Sequence, residues 1–271
     1  MLRDQAMRYT VGAIFAEEDV ARCYYARPPY APALYQRLLD LAPGRRRALD
    51  LGCGPGKVAV VLADHFDAVV ALDPSEPMLA AGRAADAGRH PNIAWTLGRA
   101  ETYEAGDGFD LVAAGTSIHW PDHAVLFPKL TRWTPLVAII SQNDLAPAPC
   151  DEDLWLEFLQ RWLIRMAQRT PGVRKPYDPA GFTAEGTRHE AWMDIAGRET
   201  FAHSCRQPLE EFVLGNHSRA TWSRAAMGEL AAEFDAELTA LMRPFAADGL
   251  LELRMVSELT WGTARATAKA G

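Results

Sequence analysis

The sequence predicts an α/β protein: a doubly wound, mostly parallel sheet of seven strands with helices on both faces and a helical insertion after the fifth strand. Three observations carry this. Short, continuous apolar runs of the kind that suit strands buried on both faces alternate with helical-period stretches through residues 48–141. The first run, Ala48-Leu49-Asp50-Leu51, leads straight into Gly52-Cys53-Gly54-Pro55-Gly56 and then a helix. Beyond residue 142 the alternation gives way to proline-broken loops and an aromatic-rich helix.

Taken in order, residues 14–26 have helical spacing, with Ile14, Phe15, Val20, Cys23 and Tyr24 on one side, until Arg27-Pro28-Pro29-Tyr30 ends the helix. A second helix at 33–41 stops at Pro43-Gly44. Strand one is 48–51, and its helix, 58–65, sets Val58, Val61, Leu62 and Phe66 on one face. The run 68–72 ends at Asp73 and completes a βαβ unit. Ser75 reads as the N-cap of the next helix, 78–88, with proline in its first turn. Strands three, four and five fall at 93–97, 109–114 and 136–141, with a helix at 123–131 before the last. A loop at 143–151, a helix at 153–169, a proline-containing break at 171–178 and a helix at 183–196 follow. A strand at 199–206, helices at 208–217 and 224–242, a final strand within 253–266 and a frayed tail complete the chain.

With 49% hydrophobic and 23% charged residues over 271 positions, the chain is too apolar for disorder and long enough to bury a sizeable core. No apolar run approaches the roughly 20 residues of a membrane span. Met1-Leu2-Arg3-Asp4-Gln5 lacks the apolar core of a signal peptide, so the expected location is cytoplasmic, with no membrane partner. A net charge of −7 argues against a nucleic-acid partner, and the one basic cluster, Arg45-Arg46-Arg47, reads as a solvated loop. Cysteines 23, 53, 150 and 205 form no C-x-x-C pair, which points to reduced thiols. A small-molecule partner is favoured.

A glycine turn between a strand and a helix brings backbone against a ligand, with helix N–H groups favouring an electron-rich one. Two readings compete. Gly54-Pro55-Gly56-Lys57-Val58-Ala59 loosely matches the dinucleotide pattern G-x-G-x-x-A, with Asp73 at the next strand's end. The register Asp50-x-Gly52-x-Gly54-x-Gly56 fits a different ligand better, because an acid ahead of the glycines suits a cationic amino group. Asp50 would then lie near an ammonium, and Asp73 would accept from two ribose hydroxyls.

Residues 48–56, Asp73, Gly98-Arg99-Ala100-Glu101 and 110–120 together resemble the class I S-adenosylmethionine-dependent methyltransferases. A finer resemblance, to the small-molecule branch that includes trans-aconitate methyltransferase, rests on Tyr24 with Ala26-Arg27-Pro28-Pro29-Tyr30, on His119-Trp120-Pro121-Asp122 and on Thr260-Trp261. The resemblance implies a Rossmann-like core, S-adenosyl-L-methionine as cofactor and S-adenosyl-L-homocysteine as product. It places Asp50, Gly52 and Gly54 at the methionine end, Asp73 on the ribose, Pro74 and Met78 on the adenine, and the Ala100 backbone at the adenine edge. Many relatives carry Asp before that alanine; this chain has Arg99, which leaves the adenine amino group to the backbone or to Glu101. Strand five also lacks the usual Pro-Gly-Gly lead, having Trp133-Thr134-Pro135. The chain then divides into a cofactor-binding core at 1–142, a cap on the substrate side at 143–196, and the rest of the core sheet at 197–271.

The remaining candidates are read from position. Tyr24 and Tyr30, beside the Arg-Pro-Pro kink, are core aromatics or a lid over the cofactor, and Arg27 is solvated or clamps a carboxylate. His119 lies just past a parallel strand's C-terminal end, where it can act as a general base or simply bond backbone beside Trp120. Pro121 spoils any metal site from His119, Asp122 and His123. The stripe of Trp155, Phe158, Leu159 and Trp162 is core or substrate wall, and His217 with Trp222 is expected near the cleft. The expected reaction is in-line methyl transfer to a small-molecule acceptor, a carboxylate or hydroxyl oxygen first, with nitrogen and carbon open. The alternatives are an NAD-type oxidoreductase and a catalytically silent cofactor-binding protein.

Overall fold

The computed structural model describes residues 13–144, 149–169, 188–219 and 221–269. Seven strands form one sheet: β1 (Arg47–Leu51), β2 (Ala68–Asp73), β3 (Ile93–Leu97), β4 (Leu111–Gly115), β5 (Val137–Asp144), β6 (Met193–Pro208) and β7 (Leu250–Ala264). Their spatial order is β3-β2-β1-β4-β5-β7-β6. β1 to β5 are parallel, and β7 runs antiparallel between β5 and β6. Strand order therefore reverses between β1 and β4, and the crevice beyond their C-terminal ends is where ligands of such sheets bind.

The pleat explains why the parallel strands are apolar throughout. Ala48, Val69, Ala71, Leu111, Ala113, Ala138 and Ile140 face one way, packing with Leu34 and Leu38 of α2 (Pro32–Leu41), Leu62 of α3 (Ala59–Ala63) and Leu79 of α4 (Glu76–Asp86). Their sequence neighbours Leu49, Leu51, Leu72, Val112, Ala114, Val137 and Ile139 face the other way, onto Leu126, Phe127 and Leu130 of α5 (His123–Trp133). Both sets are buried, so period-two alternation is hidden in an unbroken apolar run. Ser75 caps α4, accepting from Met78 N at 3.2 Å.

Several elements differ from the sequence reading. The expected helix at 14–26 is a 3₁₀ turn, Ala13–Ala16, followed by α1 (Glu18–Tyr24). The helix after the glycine turn is only five residues long. The helix expected at 183–196 is replaced, among the described residues, by a 3₁₀ turn at Arg188–Trp192 and the start of β6. Met193 and Asp194 pair with Ala264 and Thr263 of β7, and ladder hydrogen bonds override helical spacing there. The long helix at 224–242 breaks at Gly228, φ 57°, into α8 (Arg224–Met227), a 3₁₀ turn and α9 (Ala231–Met242). The break at 171–178 lies outside the described residues. Arg45 and Arg47, expected in a solvated loop, are half-buried and donate to the carbonyls of Ala42 and Asp107.

A third apolar cluster joins Trp155, Phe158 and Trp162 of α6 (Glu152–Arg169) to Val213 of α7 (Leu209–Asn216), Trp222, Phe234 of α9 and Leu251 of β7. Trp162 Nε1 and Arg161 both donate to Glu237. The stretch after β5 thus shares its packing with the helices that follow β6.

Trp95 lies against Gly82 in the middle of α4, and the contact makes a test. Gly→Ala in a helix interior ordinarily stabilises by up to about 1 kcal/mol. Here a Cβ would sit 2.5 Å from Trp95 Cζ3 and 3.0 Å from the Pro55 carbonyl oxygen. Gly82→Ala is expected to destabilise by about 1–3 kcal/mol, seen as a lower urea midpoint at unchanged slope. A midpoint that rises would show that Trp95 gives way.

Candidate functional site

The turn after β1 is shaped by β2. Gly52 N and Cys53 N both donate to the Leu72 carbonyl, at 2.8 and 3.0 Å. Gly54 N donates to Asp73 Oδ2 at 2.8 Å, Ser75 N to Asp73 Oδ1 at 2.8 Å, and Ala59 N to Asp50 Oδ2 at 2.9 Å. Gly52 and Gly54 adopt φ 66° and 53°, a region that disfavours side chains. Space around the glycines is unequal. A Cβ at Gly52 would strike Ser117 and one at Gly56 would strike Trp95, whereas at Gly54 it would meet only Tyr24 Cε1, at 3.9 Å. The turn is closed at both ends and open in the middle.

Asp50 is 1% exposed, and its Oδ1 is buried without a hydrogen-bond partner. Burial pushes its carboxyl up to about 7, against the pull of the Ala59 N–H and with Asp73 adding to the rise. Asp73, 8% exposed, is also raised by burial, opposed by the N–H groups of Gly54 and Ser75. A buried carboxylate oxygen without a donor is costly until something supplies one. A ligand with a cationic amino group meets that need, and the residues present fit the amino-acid end of S-adenosylmethionine. A pyrophosphate would bring more negative charge against two carboxylates, which counts against the dinucleotide reading.

A row of rings runs from this turn to the end of β4. The Arg27 guanidinium lies 4.1 Å from the Tyr24 ring centroid. Tyr24 meets Phe15 edge-on at 6.2 Å, Phe15 meets Trp120 edge-on at 5.8 Å, and Trp120 lies 4.6 Å from His119. Both His119 and Trp120 are half-buried. Phe15, whose carbonyl accepts from Ser75 Oγ, has no motif to announce it; its apolar spacing alone placed it on a helix face.

Residues 26–29 form a strap that links Tyr24 to Tyr30. Each of their carbonyls is taken by a side chain from elsewhere: Ala26 by Gln207, Arg27 by Lys57, Pro28 by Gln142 at 3.5 Å and Pro29 by His203 at 3.1 Å. Burial lowers Lys57 to about 8, with the Arg27 charge adding to the effect. Tyr30 OH shares a 2.9 Å hydrogen bond with Thr116 Oγ1, and Tyr35 OH donates to the Lys57 carbonyl. The sequence signal for these donors was the Pro-Pro pair, which lacks N–H groups and cannot pair as a strand.

Other expected residues are placed less openly. Met78 is 1% exposed, packed beneath Val20 and Ala21 of α1, which leaves its thioether almost no free surface for adenine. Pro74 is exposed and Ala100 half-buried. Glu101 Oε1 accepts from Asp122 N at 3.2 Å and pairs with Arg99. Arg27 donates through Nε and Nη2 to Ser218, at 2.7 and 2.8 Å, so it clips the strap to the end of α7. Trp155, expected on a substrate wall, is 4% exposed and stacked on Phe158 in the helical cluster. His217 is fully buried, with Nδ1 on the Trp222 carbonyl and Nε2 on Asp235, both at 2.6 Å, and has no ring nitrogen to offer a substrate. Among the described residues no group of His, Cys, Asp and Glu could hold a metal ion, and no helix is long and apolar enough to cross a membrane.

The chain is similar to known methyltransferases. A family model described as a methyltransferase domain matches residues 48–134. Trans-aconitate 2-methyltransferase of Methylobacterium radiotolerans is 43% identical over 115 residues, covering 36% of this chain and 43% of that protein, less than half of the relative's length. Trans-aconitate 2-methyltransferase of Mycobacterium sp. strain KMS is 31% identical over 229 residues, covering 77% of this chain and 84% of that protein. The solved structure of a candidate type II methyltransferase from Anaeromyxobacter dehalogenans shares the fold, with a TM-score of 0.61 at 22% identity over 89% of this chain and 99% of that one.

Asp73 anchors Gly54, the open glycine of the turn, through its N–H. Asp73→Ala is expected to weaken S-adenosylhomocysteine binding by about 1.5–3 kcal/mol, the range for charged hydrogen bonds. Titration calorimetry showing unchanged affinity would remove Asp73 from the site.

Proposed function

The chain belongs to the class I S-adenosylmethionine-dependent methyltransferases, and from that premise we propose that it transfers a methyl group to an oxygen of a small-molecule acceptor, a carboxylate or a hydroxyl. The observation that carries the reading is the pairing of an open, side-chain-free floor at Gly54 with a buried Asp50 oxygen that has no donor of its own. The names of the aligned relatives support a carboxylate acceptor.

In this reading Asp50 holds the cofactor's amino group and Asp73 its ribose hydroxyls. The half-buried Ala100 backbone takes the adenine edge, with Pro74 beside it. When bound, S-adenosylmethionine supplies a methyl group on a positively charged sulfur, open to in-line attack, and leaves as S-adenosylhomocysteine. The protein's task is then alignment in a dry pocket, worth effective molarities of about 10⁵ M or more in well-oriented systems. The ring row of Tyr24, Phe15, Trp120 and His119 keeps water out. The strap fixes Tyr24 and Tyr30 through bonds from four separate side chains, so their positions are set before an acceptor arrives.

The need for a base depends on the acceptor. A carboxylate is already ionised at neutral pH and gives up no proton. A hydroxyl does, and in this reading His119, next to Trp120 in the ring row, receives it.

His119→Ala is expected to lower turnover with hydroxyl acceptors by about 10²- to 10⁴-fold, while leaving S-adenosylhomocysteine affinity nearly unchanged. Turnover should survive with carboxylate acceptors. Steady-state rates on a panel of both acceptor classes from pH 6 to 9 decide it, and a rate untouched across that range with hydroxyl acceptors would return His119 to a structural role. The same panel tests the proposed function, which fails if no carboxylate or hydroxyl compound accepts the labelled methyl group.

A further inference from the structure

At the end of β1, Asp50 is buried on every side. Its Oδ2 takes the Ala59 N–H at 2.9 Å, and its Oδ1 meets no donor. The titratable groups that face it are Asp73 at the end of β2, Cys53 in the glycine turn, Tyr30 just past the strap and Tyr35 in α2. All are acids. Burial raises the Cys53 thiol and both phenols, so these three stay neutral around pH 7 and offer no positive charge. A carboxyl in such a shell avoids an unpaired buried charge in one of two ways: it keeps its proton, or it takes a cation from a ligand.

We propose that Asp50 does each in turn, holding a proton in the free protein and releasing it when the α-ammonium of the cofactor's amino-acid end arrives, so that cofactor uptake is proton-coupled and tightens as pH rises toward neutrality. This rests on the methyltransferase reading and adds a proton that methyl transfer itself does not involve. One O–H bond breaks, its proton passes to solvent, the carboxylate pairs with the ammonium, and nothing is oxidised or reduced.

The direction follows from linkage. Burial sets the free carboxyl at about 7, and an adjacent positive charge lowers it. Between those two values the free protein carries more protons than the complex, so affinity rises with pH and levels off above the free value. From pH 6 to pH 7 the gain is about fivefold. Asp73 is raised by burial too, but each of its oxygens already receives a backbone N–H, so its ionised form has donors where that of Asp50 lacks one.

Calorimetric titration of the full chain with S-adenosylhomocysteine, in pairs of buffers with unlike ionisation enthalpies, counts the protons. The expected release is nearly one proton at pH 6, about half at pH 7 and about a tenth at pH 8. Asp50→Asn, which cannot ionise, should bind without this release. 5′-Methylthioadenosine, which lacks the amino-acid end, should release none from the wild-type protein. Absence of release at pH 6, the same release from Asp50→Asn, or equal release with 5′-methylthioadenosine each overturns the proposal. The last comparison needs only the wild-type chain and so stands even if the variant fails to fold. Failure of S-adenosylhomocysteine to bind at any pH overturns the methyltransferase reading and this one with it, whereas binding without proton release overturns this one alone.

Discussion

Two buried carboxylates hold the turn after β1, and the rest of the site depends on them. A chain that bends through Gly52, Gly54 and Gly56 leaves backbone N–H groups that neither a sheet nor a helix can pair. Asp73 takes those of Gly54 and Ser75, and Asp50 takes that of Ala59. Bonds to a charged acceptor contribute about 1.5–3 kcal/mol each, yet the burial that makes them strong also penalises the charge. Folding and binding therefore compete for the same oxygens. Asp73 is committed on both oxygens, and Asp50 on one.

The pleat decides which neighbours Asp50 has. Two residues on from Ala48, it points to the face covered by α2 and α3, which is why its surroundings are Ala59, Tyr30 and Tyr35 rather than the α5 side of the sheet. The same face receives the strap. Pro28 and Pro29 carry no N–H, and the N–H groups of Ala26 and Arg27 are taken by the carbonyls of Cys23 and Tyr24, so the four carbonyls of residues 26–29 take their donors from β5, β6 and Lys57 beside the glycine turn. Lys57 follows Gly56 directly. The glycine turn and the strap are thus bonded to each other through Lys57.

What the sequence made legible obeyed local rules. Strand ends, the acids near the ends of β1 and β2, and the glycine register all follow from backbone geometry within a few residues, and the five parallel strands lie within a few residues of where the apolar runs put them. What it concealed depended on distant partners. Gln142, His203 and Gln207 are polar residues on strands, indistinguishable by pattern from solvent-facing ones until the strap lies across them. The reach of β6 back to Met193 is set by pairing with β7, which no spacing inside 183–196 encodes. Trp155 and His217 have the composition of a pocket, but Phe158, Phe234 and Asp235 claim them for the helical cluster.

The corner after β4 carries backbone strain. Thr116, just past β4, sits at φ 53°, a region that a β-branched residue enters at a cost of about 1–3 kcal/mol. Two hydrogen bonds offset that cost: its N–H donates to the Ile140 carbonyl at 2.8 Å, and its Oγ1 is paired with Tyr30. The bend delivers Ser117, whose hydroxyl bonds the Leu51 carbonyl and whose Cβ fills the space that a side chain at Gly52 would need. The corner after β4 and the turn after β1 are consequently interlocked: the absence of a side chain at Gly52 admits Ser117, and Ser117 sets where His119 and Trp120 begin. A glycine that looks like a backbone necessity for one strand is equally what lets the corner after the next parallel strand lock onto it.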